Sequence, residues 1–309
     1  MDLYMAGSTF KGLNRWLQDK GYNKLMSYLN DKKGIEEWCE YAEQTQQFKG
    51  KLFIDSGAFT AWTKGAEINV DEYIDWLNSH SKYLYLFGQV DSIPGNIRTG
   101  ATQEQVKEAA KKTWENYLYM YSRVDRPERL LYTFHVGEPF EYLKNAMEWT
   151  DDKGQHIDYI ALGGMVGKSV GVRKHFLDTC FDIIHKSSNP NVKVHAFGMT
   201  SLDLLSKYPI TSADSTSWIM TSVTGSLMSQ YGNICVSKET ITRPDNIANP
   251  NYKAVRRQVV EDYIKKSGFT LEELQEDTKQ RQKFNIVYLQ NWADNYVLKT
   301  PKTKTFKLF

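Results

Sequence analysis

The chain has 309 residues, 39 Lys and Arg against 37 Asp and Glu, and a formal charge of +2. That balance excludes a polycationic tail protein, and 41% hydrophobic with 25% charged residues excludes wholesale disorder. A nucleic-acid partner stays open, because a local basic patch suffices. The length carries a soft prior of about two domains, yet a single α/β barrel of roughly 250 residues also fits. Cys39, Cys180 and Cys235 are far apart, with no CxxC and no clustered Cys/His set, so neither a disulfide framework nor a metal site is expected. No apolar run reaches the ~18 residues of a membrane span. Residues 1–7 carry no basic leader or long apolar stretch, so no signal peptide, no membrane partner and a reducing cytoplasmic setting are expected.

Short apolar runs predict strands at 3–6, 52–55, 84–91, 130–137, 159–163, 192–198, 210–214 and 233–236. Helical patterns lie between them. Residues 71–79 put Ile74 and Leu77 on one face, with Asp71 as the cap. Residues 102–121 open with Thr102-x-x-Gln105, the glutamine form of a capping box. Residues 139–149, 173–185 and 201–208 follow, the last with Leu202, Leu204 and Leu205 toward a core. Alternating strand and helix implies a parallel sheet, and eight strands imply a closed (β/α)8 TIM barrel.

Composition changes after the eighth run. Turn chemistry marks 243–250, so the barrel is taken as 1–240 and a helical extension packed on it as 241–309. One helix is expected over 252–266, ending at Ser267-Gly268, and another from a Thr270-x-x-Glu273 capping box to about 297. This end is locally basic, with Lys253, Arg256, Arg257, Lys265, Lys266, Lys299, Lys302, Lys304 and Lys307. Those charges read either as a solvated face or as a flank that contacts phosphates.

Barrel enzymes carry catalytic residues at the C-terminal ends of strands. Here those ends read Asp55-Ser56-Gly57-Ala58-Phe59, Gln89-Val90-Asp91-Ser92, His135-Val136-Gly137-Glu138, Gly163-Gly164-Met165-Val166-Gly167, Phe197-Gly198-Met199-Thr200 and Asp214-Ser215-Thr216. Singly, Asp55 and Asp91 resemble turn starts. Together, Asp55, Asp91 and Asp214 would converge on one mouth, where carboxylates can divide the work of nucleophile, acid/base and ligand recognition. Gly163, Gly164 and Gly167 permit close backbone approach, but the spacing is neither GxGxxG nor a P-loop. His135 stands at a strand end as a core or ligand-contacting histidine, without partners for a metal. His195 lies mid-strand and reads as structural. Phe59 and Phe197 are either core or a stacking clamp for a flat base.

These motifs, in order from Asp55 to Trp218, resemble the tRNA-guanine transglycosylase superfamily. They look most like its short phage branch, the DpdA-type 7-deazaguanine DNA transglycosylases. Asp55 to Phe59 resembles the family's Asp-Ser-Gly-Gly-aromatic motif, and Leu162 to Gly167 its Gly-Gly-Leu-Ala-Val-Gly loop. Phe197 to Thr200 resembles its Met-Gly-Val-Gly segment, and Asp214 resembles the nucleophilic Asp of its seventh strand. The resemblance implies an enzyme that exchanges guanine in DNA for a free 7-deazaguanine base such as preQ0, with no cofactor, in a host cytoplasm if the chain is phage-encoded. It implies Asp214 as nucleophile and Asp55 as general acid/base. Asp91, Ser56, His135, Gly163, Gly164 and Met165 would contact the base, with Phe59 and Phe197 as the sandwich. His135 replaces a family Gln, and the Cys/His zinc site of the tRNA enzymes is missing, which favours DNA over tRNA. Two rival readings remain. One is a retaining glycosidase using Glu138 and Asp214, which need carboxyls about 5–5.5 Å apart. The other is a non-catalytic nucleic-acid-binding barrel.

Overall fold

The computed structural model describes residues 1–96, 98–199 and 201–298. Eight parallel strands close a barrel in chain order: β1 (Asp2–Ala6), β2 (Asn23–Ser27), β3 (Leu52–Asp55), β4 (Leu84–Gly88), β5 (Leu130–His135), β6 (Tyr159–Gly163), β7 (Lys193–Ala196) and β8 (Ser212–Ser215). The connections carry α1 (Leu13–Lys20), α2 (Lys32–Thr45), α3 (Ala58–Thr63), α4 (Val70–Ser79), α5 (Gln103–Tyr121), α6 (Phe140–Glu148), α7 (Val170–Lys186) and α8 (Leu202–Leu205). The fold is therefore a (β/α)8 TIM barrel with further helices toward the C-terminus.

The strand count of eight is reached by a different route from the expected one. β2 was not foreseen, because Asn23-Lys24-Leu25-Met26-Ser27 contains no apolar run. Leu25 packs on the barrel interior, so Lys24 points to the opposite face, where it is fully buried. Burial pulls the Lys24 ammonium down to about 8, partly offset by the Asp31 charge. Residues 233–236, in contrast, do not enter the barrel. Asp55 therefore closes β3, and Asp214 lies in the eighth strand, not the seventh.

By contact density the chain divides into two compact units. One holds Met1–Ala6 and Asn14–Asp214, the other Gly7–Leu13 and Ser215–Tyr296. The division falls after Asp214, upstream of the composition change near 240. The second unit contains α9 (Ser217–Val223), an antiparallel pair β9 (Ser226–Leu227) and β10 (Ile234–Cys235), then α10 (Ala254–Lys266), α11 (Leu271–Glu276) and α12 (Thr278–Asp294). Its core is built from Leu227, Ile234, Val236, Ile264, Leu274 and Phe284, among others. Asn285, fully buried, donates to the Ser222 hydroxyl at 2.9 Å and the Ser226 carbonyl at 3.3 Å and accepts from the Met228 N–H at 2.7 Å. The buried Arg281 guanidinium donates to the carbonyls of Ser222 and Leu274 at 3.1 and 2.9 Å.

Both capping boxes form as read, at Thr102/Gln105 and Thr270/Glu273. The helix begun at Thr270 stops at Glu276, however. Asp277 is extended there, and its carboxylate caps a new helix by accepting from the Lys279 N–H at 2.7 Å. α4 is capped by Asn69 rather than Asp71, through Asn69 Oδ1 and the N–H groups of Asp71 and Glu72. On the basic end, Lys253, Arg256, Lys265 and Lys266 are exposed. Thr200, Lys299, Lys302, Lys304 and Lys307 lie outside the described residues. Among the described residues, no helix is long and apolar enough to cross a membrane.

The period-two alternation of strands fixes what the barrel mouth presents. Tyr4, Phe53, Leu86, Leu131, Tyr159 and Ala161 form one buried interior cluster, bordered by Leu25 and Phe197. Two residues further along the same faces come Ser27, Asp55, Gly88 and Gly163, and β5 reaches His135 on the same alternation. The hydrophobic plug thus ends in a polar layer at the C-terminal end of the strands.

Candidate active site

Asp55 is the last residue of β3. Its Oδ2 accepts from the Gly57 N–H at 3.1 Å. Gly57 sits at φ 84°, and a Cβ there would meet Leu29 Cβ and Ser27 Oγ at 2.7 Å, so only glycine closes this turn. Withdrawal from water is the main force on the Asp55 proton. The charge of Asp91 adds to it, the Gly57 N–H pulls back, and the charge of Asp214 adds again, leaving the carboxyl at about 7. Asp91 and Asp214 are thus each within electrostatic reach of Asp55.

Asp91 lies just past β4. Gln89 Nε2 donates to its Oδ1 at 3.2 Å, and His135 Nε2 lies 3.4 Å from its Oδ2. The other nitrogen of His135, Nδ1, pairs with Glu138 Oε1 at 2.9 Å, and the His135 N–H donates to Glu138 Oε2 at 3.2 Å. Burial alone would lower the His135 pKa, but Asp91 and Glu138, on its two nitrogens, override it and hold the ring at about 10. His135 is therefore an imidazolium at neutral pH, wedged between two carboxylates. Glu138 has both oxygens committed to His135, which leaves it poorly placed to serve as an acid/base.

Asp214 lies on β8 and is buried. Its Oδ1 accepts from the Gly198 N–H at 2.7 Å and lies 3.4 Å from His195 Nε2. His195 Nδ1 is 2.7 Å from Ser212 Oγ, which also accepts from the Tyr159 hydroxyl at 2.9 Å. Among the described residues, no contact engages Asp214 Oδ2.

Glycines clear the space around these groups. A Cβ at Gly163 would come within 2.7 Å of His135 Cδ2, so the His135 ring occupies the place of the missing side chain. Gly164 takes φ 71° against Val136. Gly198 takes φ 60°, and a Cβ there would strike Val166 Cγ2 at 2.6 Å. The remaining expected site residues separate. Ser56 is buried and accepts from the Ala58 N–H at 3.4 Å, a turn-forming contact. The Met165 side chain is buried, which leaves its backbone as the part able to meet a ligand. Phe59 is 64% exposed and packs on Trp62 at 5.8 Å, whereas Phe197 packs on His195 at 4.6 Å and Phe53 at 5.6 Å. Among the described residues the two phenylalanines share no ring contact. A cleft of about 550 Å³ opens beside Asp91, walled by Trp62, Ile68, Val90, Ile93 and Lys112.

Sequence reasoning overlooked Gln89, the positioning role of Glu138, and the contact of His195 with Asp214. Period-two counting back from Phe197 would have turned His195 inward, toward the β8 aspartate. Among the described residues, no group of three or more His, Cys, Asp or Glu side chains is placed to hold a metal ion. Neither protein-family models nor curated proteins match this chain.

Proposed function

We propose that this chain is a pentosyltransferase that exchanges guanine in DNA for a free 7-deazaguanine such as preQ0. One observation carries the reading: a carboxyl poised at about 7, Asp55, shares the barrel mouth with an aspartate, Asp214, held by one oxygen only. Displacing a base from a sugar needs both, a nucleophile for C1′ and a proton for the leaving base. The order of motifs from Asp55 to Trp218, similar to the transglycosylase superfamily, names the base as a guanine type.

In the first half-reaction Asp214 Oδ2 forms a bond to C1′ while the C1′–N9 bond breaks. The bonding pair stays on the departing purine, and Asp55 supplies its proton. In the second half, ionised Asp55 takes the N9 proton of the incoming deazapurine. The freed N9 pair then forms the new bond to C1′, and Asp214 leaves as a carboxylate. A group near pKa 7 serves both directions. Asp91, with His135 Nε2 3.4 Å from its Oδ2, is an acceptor for the N–H edge of a guanine-like ring. A base in duplex DNA must first leave the stack, at a cost of a few kcal/mol.

The test is base exchange with labelled guanine or preQ0, offered with DNA and with tRNA separately. Label in DNA is expected, with a denaturation-resistant protein–DNA adduct that disappears in Asp214→Asn. Label in tRNA alone moves the reading to the tRNA branch. Full exchange by Asp214→Asn removes Asp214 as nucleophile, and no label in either polymer refutes the reading.

A further inference from the structure

His195 is fully buried, and its ring is enclosed by Tyr4, Phe53 and Phe197 at 6.1, 4.8 and 4.6 Å. Its Nε2 has no hydrogen-bond partner within ordinary geometry, and the acceptor facing it is Asp214 Oδ1 at 3.4 Å. The other nitrogen shows where the proton is. The Tyr159 hydroxyl donates to Ser212 Oγ at 2.9 Å, and burial raises the Tyr159 pKa, so the phenol keeps its proton. A serine hydroxyl has one proton to give. Its oxygen can accept from both neighbours, but among the described residues the Ser212 proton has no acceptor other than His195 Nδ1 at 2.7 Å, so with Tyr159 donating to it Ser212 gives that proton to Nδ1. Nδ1 is then an acceptor, and the proton of the neutral ring is on Nε2, aimed at the nucleophile.

We infer that Tyr159, Ser212 and His195 form a buried relay that fixes the His195 tautomer, making His195 a positioning residue for Asp214. The Gly198 N–H donates to Oδ1 at 2.7 Å, and His195 Nε2 lies 3.4 Å from that same oxygen. That leaves Oδ2 as the oxygen presented to C1′ and holds the carboxylate plane against rotation. An unpaired buried donor costs about 1–3 kcal/mol, so the 3.4 Å approach closes on Asp214 rather than away from it. Misplacement of a reacting group by about 1 Å can cost roughly a hundredfold in rate. The inference rests on the proposed function for what Asp214 does, but its geometric half stands apart from it.

Two measurements test the relay. The first is nitrogen NMR of the whole chain labelled at histidine, with the His195 signals identified by their loss in His195→Gln. A neutral ring protonated at Nε2 is expected. A ring protonated at Nδ1, or at both nitrogens, overturns the relay whether or not the protein transfers bases. The second is the kinetics of base exchange. Ser212→Ala should lower kcat about tenfold with little change in KM, the loss of one hydrogen bond's worth of orientation. Tyr159→Phe should lose less than about threefold, because Ser212 can still donate to Nδ1. An unchanged kcat in Ser212→Ala overturns the positioning role. Absence of exchange in the wild type counts against the proposed function, and the NMR result then decides the relay by itself.

Discussion

Replacing Asp55 by Asn should make the protein more stable while removing its activity, and the gain should appear only above acid pH. The Asp55 carboxyl sits at about 7 against an ordinary 3.8. Between those values the folded chain binds a proton that the unfolded chain has lost, so wild-type stability falls as pH rises across the window. At 1.36 kcal/mol per pH unit, ionising Asp55 costs the fold about 4 kcal/mol by pH 8. An Asn has no charge to bury but gives a weaker bond to the Gly57 N–H, worth about 1 kcal/mol. The net gain is then about 3 kcal/mol at pH 8 and close to zero at pH 4. With an unfolding entropy of roughly 2.1 cal/mol/K per residue, that is a rise of about 5 °C in Tm. Thermal melts of both proteins at fixed ionic strength from pH 4 to 8 give the difference directly. The His135 imidazolium also titrates, losing its contribution as pH rises through about 10, but it is common to both proteins. Exchange activity should drop by about 10² to 10⁴. A variant no more stable at pH 8, or a difference flat across the range, would refute the account of Asp55.

Gly163→Ala places a methyl where the His135 ring lies, 2.7 Å from Cδ2. It should swing His135 away from Asp91, raising the KM for the base about tenfold or more with a smaller effect on folding. Steady-state kinetics against free base concentration check this. Asn285→Ala leaves the Met228 N–H and the Ser226 carbonyl without their buried partner and should cost about 2–4 kcal/mol in urea unfolding. Its effect should show in stability and not in the pH profile of exchange.

The barrel was legible because seven of its strands carry short apolar runs ending in polar or glycine motifs. β2 was not, since its burial is carried by Lys24 and Asn23, whose environment no periodicity reveals. The apolar run at 233–236 misled for the opposite reason: two of its residues pair antiparallel with Ser226–Leu227 in the second unit. Asp55, Asp91, His135 and Asp214 could be found from strand ends alone. His195 could not be assigned its part, because it meets Asp214 only across neighbouring strands of the closed sheet. Gln89 and Glu138 could not because their contacts, two and three residues along the chain, depend on strand-end turn geometry that no periodicity reveals. Gly198 is similar. Its motif was visible, but the hydrogen bond from its N–H to Asp214 joins the turn after β7 to β8.

The Asn285 contacts set an order of events during synthesis. The side chain that satisfies Ser222 arrives 63 residues after it. At about 5–20 residues per second, the segment around α9 and β9 leaves the ribosome roughly 3–12 s before its partner exists. During that interval the Ser226 carbonyl and the Met228 N–H lack their Asn285 partner and are met by water, although the Ser222 hydroxyl can already donate to the Trp218 carbonyl, so the unit cannot close from its N-terminal side. A chain cut at 240, where composition alone would place the boundary, keeps Trp218 to Cys235 but never receives α12. Such a fragment would carry the whole set of mouth carboxylates and still be a substrate for chaperones and proteases.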